Sequence, residues 1–154
     1  MKKHLLKILV NTLLLGVFLI SCSNSKPNPQ QKTNTRFNYL PTSTSQVVIN
    51  HKYYSFSYIE KYEQAEWVAY TLNKNHIVSN KIKRPYFEQD PKVITGSADW
   101  RNYKKSGYSR GHLMPAGDRK FNKEAFYETF LTSNISPQKF DFNAGVWNRL
   151  EQKT

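Results

Sequence analysis

The sequence predicts an α+β domain, a small and mainly antiparallel sheet with flanking helices. Two observations carry this: short runs rich in β-branched and aromatic residues, and separate stretches with helical apolar spacing, all within just over a hundred residues. Residues 46–50 and 53–58 read as paired strands, because Val47, Val48, Ile49, Tyr53, Tyr54, Phe56 and Tyr58 favour a pleated surface. Residues 60–72 read as a helix, since Ala65, Val68, Ala69 and Leu72 fall on one face, with Trp67 and Tyr70 as flanking core aromatics. Pro85, Pro91 and Gly96 make 81–98 mostly loop and short strand. A turn at 104–107 leads to a strand carrying Arg110 and His112, and 123–131 is helical with Asn122 as its cap. The last helix, 142–152, brings Asn143, Trp147, Leu150 and Glu151 within about 100° of arc at ~100° per residue. Asn143 and Glu151 then look into one cleft from positions two turns apart.

The amino terminus reads as an address. Lys2, Lys3 and Lys7 precede an apolar run, 8–20, that is short for a bilayer span and closes on Leu19-Ile20-Ser21-Cys22. That tetrapeptide resembles the lipobox of bacterial lipoproteins. The resemblance implies cleavage after residue 21, lipidation of Cys22, anchorage to a membrane through that lipid, and a bacterial cell-envelope location with the domain outside the cytoplasm. Cys22 is the single cysteine, so no intramolecular disulfide is available and stability rests on the core. Residues 22–45, rich in Ser, Asn, Pro, Gln, Lys and Thr, read as a disordered tether, and the globular domain as 46–154. The chain carries a net charge of +12. Without the leader's lysines, 20 basic residues face 11 acidic ones, an excess that favours polyanions such as nucleic acid or anionic lipid.

Gly107-Tyr108-Ser109-Arg110-Gly111 matches the G-x-S-x-G elbow of serine hydrolases. In that fold the acid and then the base follow the serine at a distance, whereas here His112 is the only histidine after Ser109, and His4, His51 and His76 precede it. The domain is also too short for a doubly wound sheet. No H-E-x-x-H and no cysteine pair occurs, which argues against a zinc site.

Three motifs point elsewhere: Ser109-Arg110-Gly111-His112, Asn134-Ile135-Ser136-Pro137-Gln138, and Asn143 followed by Trp147, Leu150 and Glu151. In order and spacing they resemble the DNA/RNA non-specific endonuclease family, whose pattern runs D-R-G-H, N-x-x-P-Q and N-x-x-x-W-x-x-L-E. Residues 63–70, 95–97 and 115–118 add to the likeness, which covers about 53–151. The resemblance implies a ββα-metal nuclease core that hydrolyses phosphodiester bonds in DNA and RNA with one Mg2+, or Mn2+ in its place. It implies His112 as general base, Arg110 as phosphate ligand, Asn143 as direct metal ligand, and Glu151 hydrogen-bonded to one of the ion's waters. Asn134 would brace the loop or the metal-water network. The sequence departs from the pattern at Ser109, where the family most often has Asp. The family also continues with further strands and helices beyond Glu151, so a chain ending at Thr154 reads as the N-terminal and catalytic portion, with Trp147 and Leu150 on a face left exposed. Lys104, Lys105, Arg119, Lys120 and Lys139 read as solvated charges with a secondary role in tracking phosphates. Two other classes fit the charge: an inactive relative that only binds nucleic acid, and a non-enzymatic basic surface lipoprotein.

Overall fold

A computed structural model describes residues 39–153. Cys22, the leader and most of the expected tether lie outside the described residues. A three-stranded antiparallel sheet opens the domain: β1 (Val48–Asn50), β2 (Ser55–Ile59) and β3 (Gln64–Ala69), in that order. Tyr54, Phe56 and Tyr58, alternating along the β2 segment, send their rings into the core with Val93 and Met114. Full burial of each such side chain contributes roughly 1.5–3 kcal/mol.

The expected helix over 60–72 is instead a 3₁₀ turn, Glu60–Tyr62, followed by β3. Its apolar spacing has a specific cause. Ser57 pairs with Trp67 and Tyr58 with Ala65, so Glu66 is an extra residue bulged out of the ladder. The bulge turns Ala65 and Val68, three positions apart, onto the same core-facing side, where they pack against the Phe56 cluster. Three-residue spacing therefore imitates a helix. The bulged Glu66 carboxylate accepts hydrogen bonds from Thr44 N, Thr44 Oγ1 and Ser57 Oγ. Trp67 Nε1 donates to Thr42 O at 3.2 Å, and Ser43 Oγ lies 2.7 Å from Ser57 Oγ. Residues 42–45, tether by composition, are thus tied to the sheet, and the ordered domain starts ahead of Gln46.

A second, two-stranded antiparallel sheet joins β4 (Ser109–His112) to β5 (Ile135–Gln138). Arg110 pairs with Pro137 and His112 with Ile135. Gly111 leaves room for the Gln138 side chain, which a Cβ there would meet at 2.1 Å and force to move. Between the strands lies α1 (Lys123–Glu128), capped as expected: Asn122 Oδ1 accepts from Ala125 N at 3.1 Å. After β5, α2 (Phe140–Phe142) runs through a π-helical turn (Asn143–Trp147) into α3 (Asn148–Glu151), one continuous helix. Ser109 sits inside β4, not on a strand-to-helix elbow, consistent with rejection of the serine-hydrolase reading.

Candidate active site

Strand alternation puts Arg110 and His112 on one face of β4. The terminal helix packs there, and Trp147 Nε1 donates to His112 O at 3.0 Å, fixing the strand's end against the helix. The π turn sets which residues reach the cleft. Asn148 N–H bonds Asn143 O, five residues back, and this one residue of extra winding retards the last turn of the helix by about 100°. In a straight α-helix Asn143 and Glu151 would stand about 80° apart; with the extra residue they differ by about 20°. Asn143, Ala144, Asn148, Glu151 and Gln152 accordingly line one cleft of about 580 Å³ together with Arg84, Arg110 and His112. The same rotation swings Leu150 off that face, and it is 53% exposed, while Trp147 is half-buried.

His112 is wedged between rings, edge-on to Phe130 at 5.0 Å and tilted against Phe87 at 5.7 Å. Its Nε2 is buried with no hydrogen-bond partner. Burial, and then the nearby Arg84 guanidinium, push the imidazole down to about 4. At neutral pH the ring is therefore uncharged. Burial also raises the Glu151 carboxyl above its ordinary value, outweighing the lowering effect of the nearby Trp147 indole N–H.

Sequence reasoning missed Arg84. Its guanidinium lies 5.5 Å from the Phe87 ring and 5.1 Å from Phe130, while Arg110 lies 4.8 Å from Phe87. Two exposed cations thus rest on the aromatic pedestal that holds the histidine. The interleaving of Lys83, Arg84, Tyr86 and Phe87 was the available signal.

Asn134 does not line the cleft. It is fully buried, with Oδ1 accepting from Met114 N at 2.8 Å and Nδ2 donating to Met114 O and Thr129 O. These bonds tie the exit of β4 to the end of α1, and they occupy the carboxamide away from the cleft. Arg119 is likewise not a solvated charge. It is 1% exposed, donates to Thr71 O and lies 4.5 Å from the Tyr70 ring. Lys120 lines the cleft, and Lys104 an adjoining one.

Among the described residues no three His, Cys, Asp or Glu side chains converge on a metal position. The oxygen donors on the cleft, the amides of Asn143, Asn148 and Gln152 and the single Glu151 carboxylate, suit instead a hard cation that keeps most of its water, for which one or two protein oxygens suffice.

The chain is 43% identical over 116 residues to the mitochondrial nuclease EXOG of Danio rerio, covering 73% of this chain and 33% of that protein. To a nuclease of Nostoc sp. it is 32% identical over 129 residues, covering 80% and 44%. A crystal structure of the EndoG/EndoGI complex superposes with a TM-score of 0.64 at 30% identity, over 69% of this chain and 45% of that one. The chain spans a third to under a half of the length of these proteins. The fold is that of the ββα-metal nucleases, with β4, β5 and the terminal helix as its core. Residues 31–154 match the DNA/RNA non-specific endonuclease model, and the chain belongs to that family.

Proposed function

We propose that this chain is a metal-dependent, sequence-non-specific endonuclease that hydrolyses phosphodiester bonds in DNA and RNA. The observation that carries the reading is the unpartnered, buried Nε2 of His112 on a cleft shared with Arg84, Arg110, Asn143 and Glu151. An uncharged imidazole nitrogen with no internal partner takes a proton from an attacking water. Arg110 and Arg84 bind the scissile phosphate, the fork of each guanidinium matching two of its oxygens. Asn143 would hold Mg2+ (or Mn2+) and Glu151 would support its hydration shell; such a cation would supply stabilisation of the charge that develops on the leaving oxygen. Asn134 acts at one remove, fixing the loop that follows His112. The Arg110 fork and the basic surface read the backbone and not the base edges, which gives cleavage without sequence preference. The Cys22 lipid anchor and an envelope location belong to the same proposal, and loss of radiolabelled palmitate from the Cys22→Ala chain tests them.

The direct test is incubation of the purified, folded chain with plasmid and with RNA. Both are degraded in magnesium and spared in EDTA. Intact substrates with magnesium and with manganese would remove the catalytic reading.

A further inference from the structure

Beside the catalytic cleft lie two further grooves, and Arg84 and Arg110 line all three. The larger, of about 740 Å³, is walled by Pro85, Tyr86, Phe87 and Trp100 together with the two arginines. Tyr86 is 90% exposed and Trp100 37%, and neither belongs to the two core clusters. Trp100 is nevertheless held in place. It opens a 3₁₀ turn whose preceding Asp99 accepts from Arg101 N, and the Arg101 guanidinium, paired with Asp99, lies 5.4 Å from the indole centre. Large flat side chains displayed on a wall that also carries two cations are the elements of a single-strand platform: cations track the phosphates while rings receive the bases.

We propose that this groove is a stacking subsite for unpaired nucleobases, with Trp100 and Tyr86 as its platforms, so that single-stranded nucleic acid is gripped beside the scissile phosphate. This position relative to the cut rests on the nuclease reading above. Charge decides the occupant: two guanidinium groups against a single carboxylate, Glu88, line the groove and select a polyanion. In a duplex the bases are paired and stacked on one another, so the platforms are offered nothing that the backbone contacts do not already hold. The subsite therefore discriminates between strand forms and not between sequences.

The test compares affinities of the full chain carrying His112→Ala, in EDTA, for a fluorescent oligothymidylate and for a duplex of equal length. Adding Tyr86→Ala and Trp100→Ala weakens oligothymidylate binding about 10-fold, leaves duplex binding unchanged and preserves the slope of affinity against salt, since no phosphate contact is lost. Trp100→Phe, which keeps a ring, retains most of the affinity, and unchanged melting temperatures establish that the variants fold. Equal weakening for both substrates, no weakening for either, or no binding of oligothymidylate by the parent at low salt overturns the proposal. The binding comparison needs no turnover. A parallel magnesium-dependent plasmid assay on the unsubstituted chain can fail, removing the nuclease reading, without altering what the affinities say about the groove.

Discussion

His51 and His112 both lie against aromatic rings, as His76 does on Phe121, and these two differ in what meets their nitrogens. His51 stacks on Tyr54 at 4.8 Å, its Nε2 is 2.7 Å from Asp90 Oδ2, and its Nδ1 is 3.8 Å from Glu128 Oε1. Asp90 also accepts hydrogen bonds from Ser133 Oγ and Lys92 N, so the carboxylate is fully engaged. His112 is packed as closely by Phe87 and Phe130, yet its Nε2 has nothing to bond. The arginines divide in the same way: Arg119 is buried and donates to Thr71 O and Met114 Sδ, whereas Arg84 and Arg110 lie exposed on Phe87. A buried polar group with partners holds the scaffold; one left without a partner costs stability and is retained where an external group completes it. Tyr58 Oη, Glu128 Oε2 and Gln138 Oε1 are also buried without a partner, so it is the position of His112 on the cleft beside Arg84 and Arg110, together with its unpartnered nitrogen, that sets it apart from His51.

The largest effect that would break this contrast is on cleavage. His112→Ala lowers the rate of plasmid degradation by about 10²–10⁴-fold, the usual worth of a general base, while the melting temperature stays close to that of the parent. Loss of folding in this variant would place His112 with the scaffold. The converse substitution, His51→Ala, removes one of three hydrogen-bond partners of the buried Asp90 carboxylate and lowers stability by about 1–3 kcal/mol in urea titration, with the cleavage rate per folded molecule unchanged. Asn134→Ala exposes no cleft atom but orphans the Met114 and Thr129 backbone groups, costing about 1–3 kcal/mol by the same titration.

A smaller, pH-dependent effect sharpens the scaffold side. Burial pushes the Asp90 carboxyl up, but hydrogen bonds from His51, Ser133 and Lys92 outweigh it and hold the carboxyl below its ordinary value of 3.8. A depressed folded value means that the stabilisation is fully present above the unfolded value and is lost as pH falls through the folded one. Below about pH 4 the unsubstituted chain accordingly loses stability more steeply than Asp90→Asn, as read from urea midpoints at successive pH values. The smallest effect is at the surface. Lys52 and Glu124 pair at 2.7 Å in full solvent exposure, and Lys52→Ala leaves the melting temperature unchanged.

Local signals were legible where one element suffices to read them. Asn122 before the run 123–128 is a cap because a short side chain reaches a free N–H three residues on, whatever the rest of the chain does. Arg110 and His112 share a face because strand side chains alternate. Where a second segment decides, the sequence misleads. The bulge at Glu66 exists because β2 pairs on both sides of it, and without that partner Ala65 and Val68 look helical. Arg84 came from a loop with no periodicity, and Arg119 looked like any surface cation until Thr71 and Tyr70 closed over it.

By itself the sequence determined the α+β class and the β4 and terminal-helix elements, because these depend on side-chain type and short-range spacing, and its motifs marked His112, Arg110, Asn143 and Glu151 as candidates through their resemblance to the family pattern. Only the tertiary structure decided that Asn134 is a brace, that Arg84 joins the cleft, and that a π turn swings Glu151 into near alignment with Asn143 while turning Leu150 away. Each of these depends on where a distant backbone lies or on one residue of winding, and neither quantity is carried by local pattern.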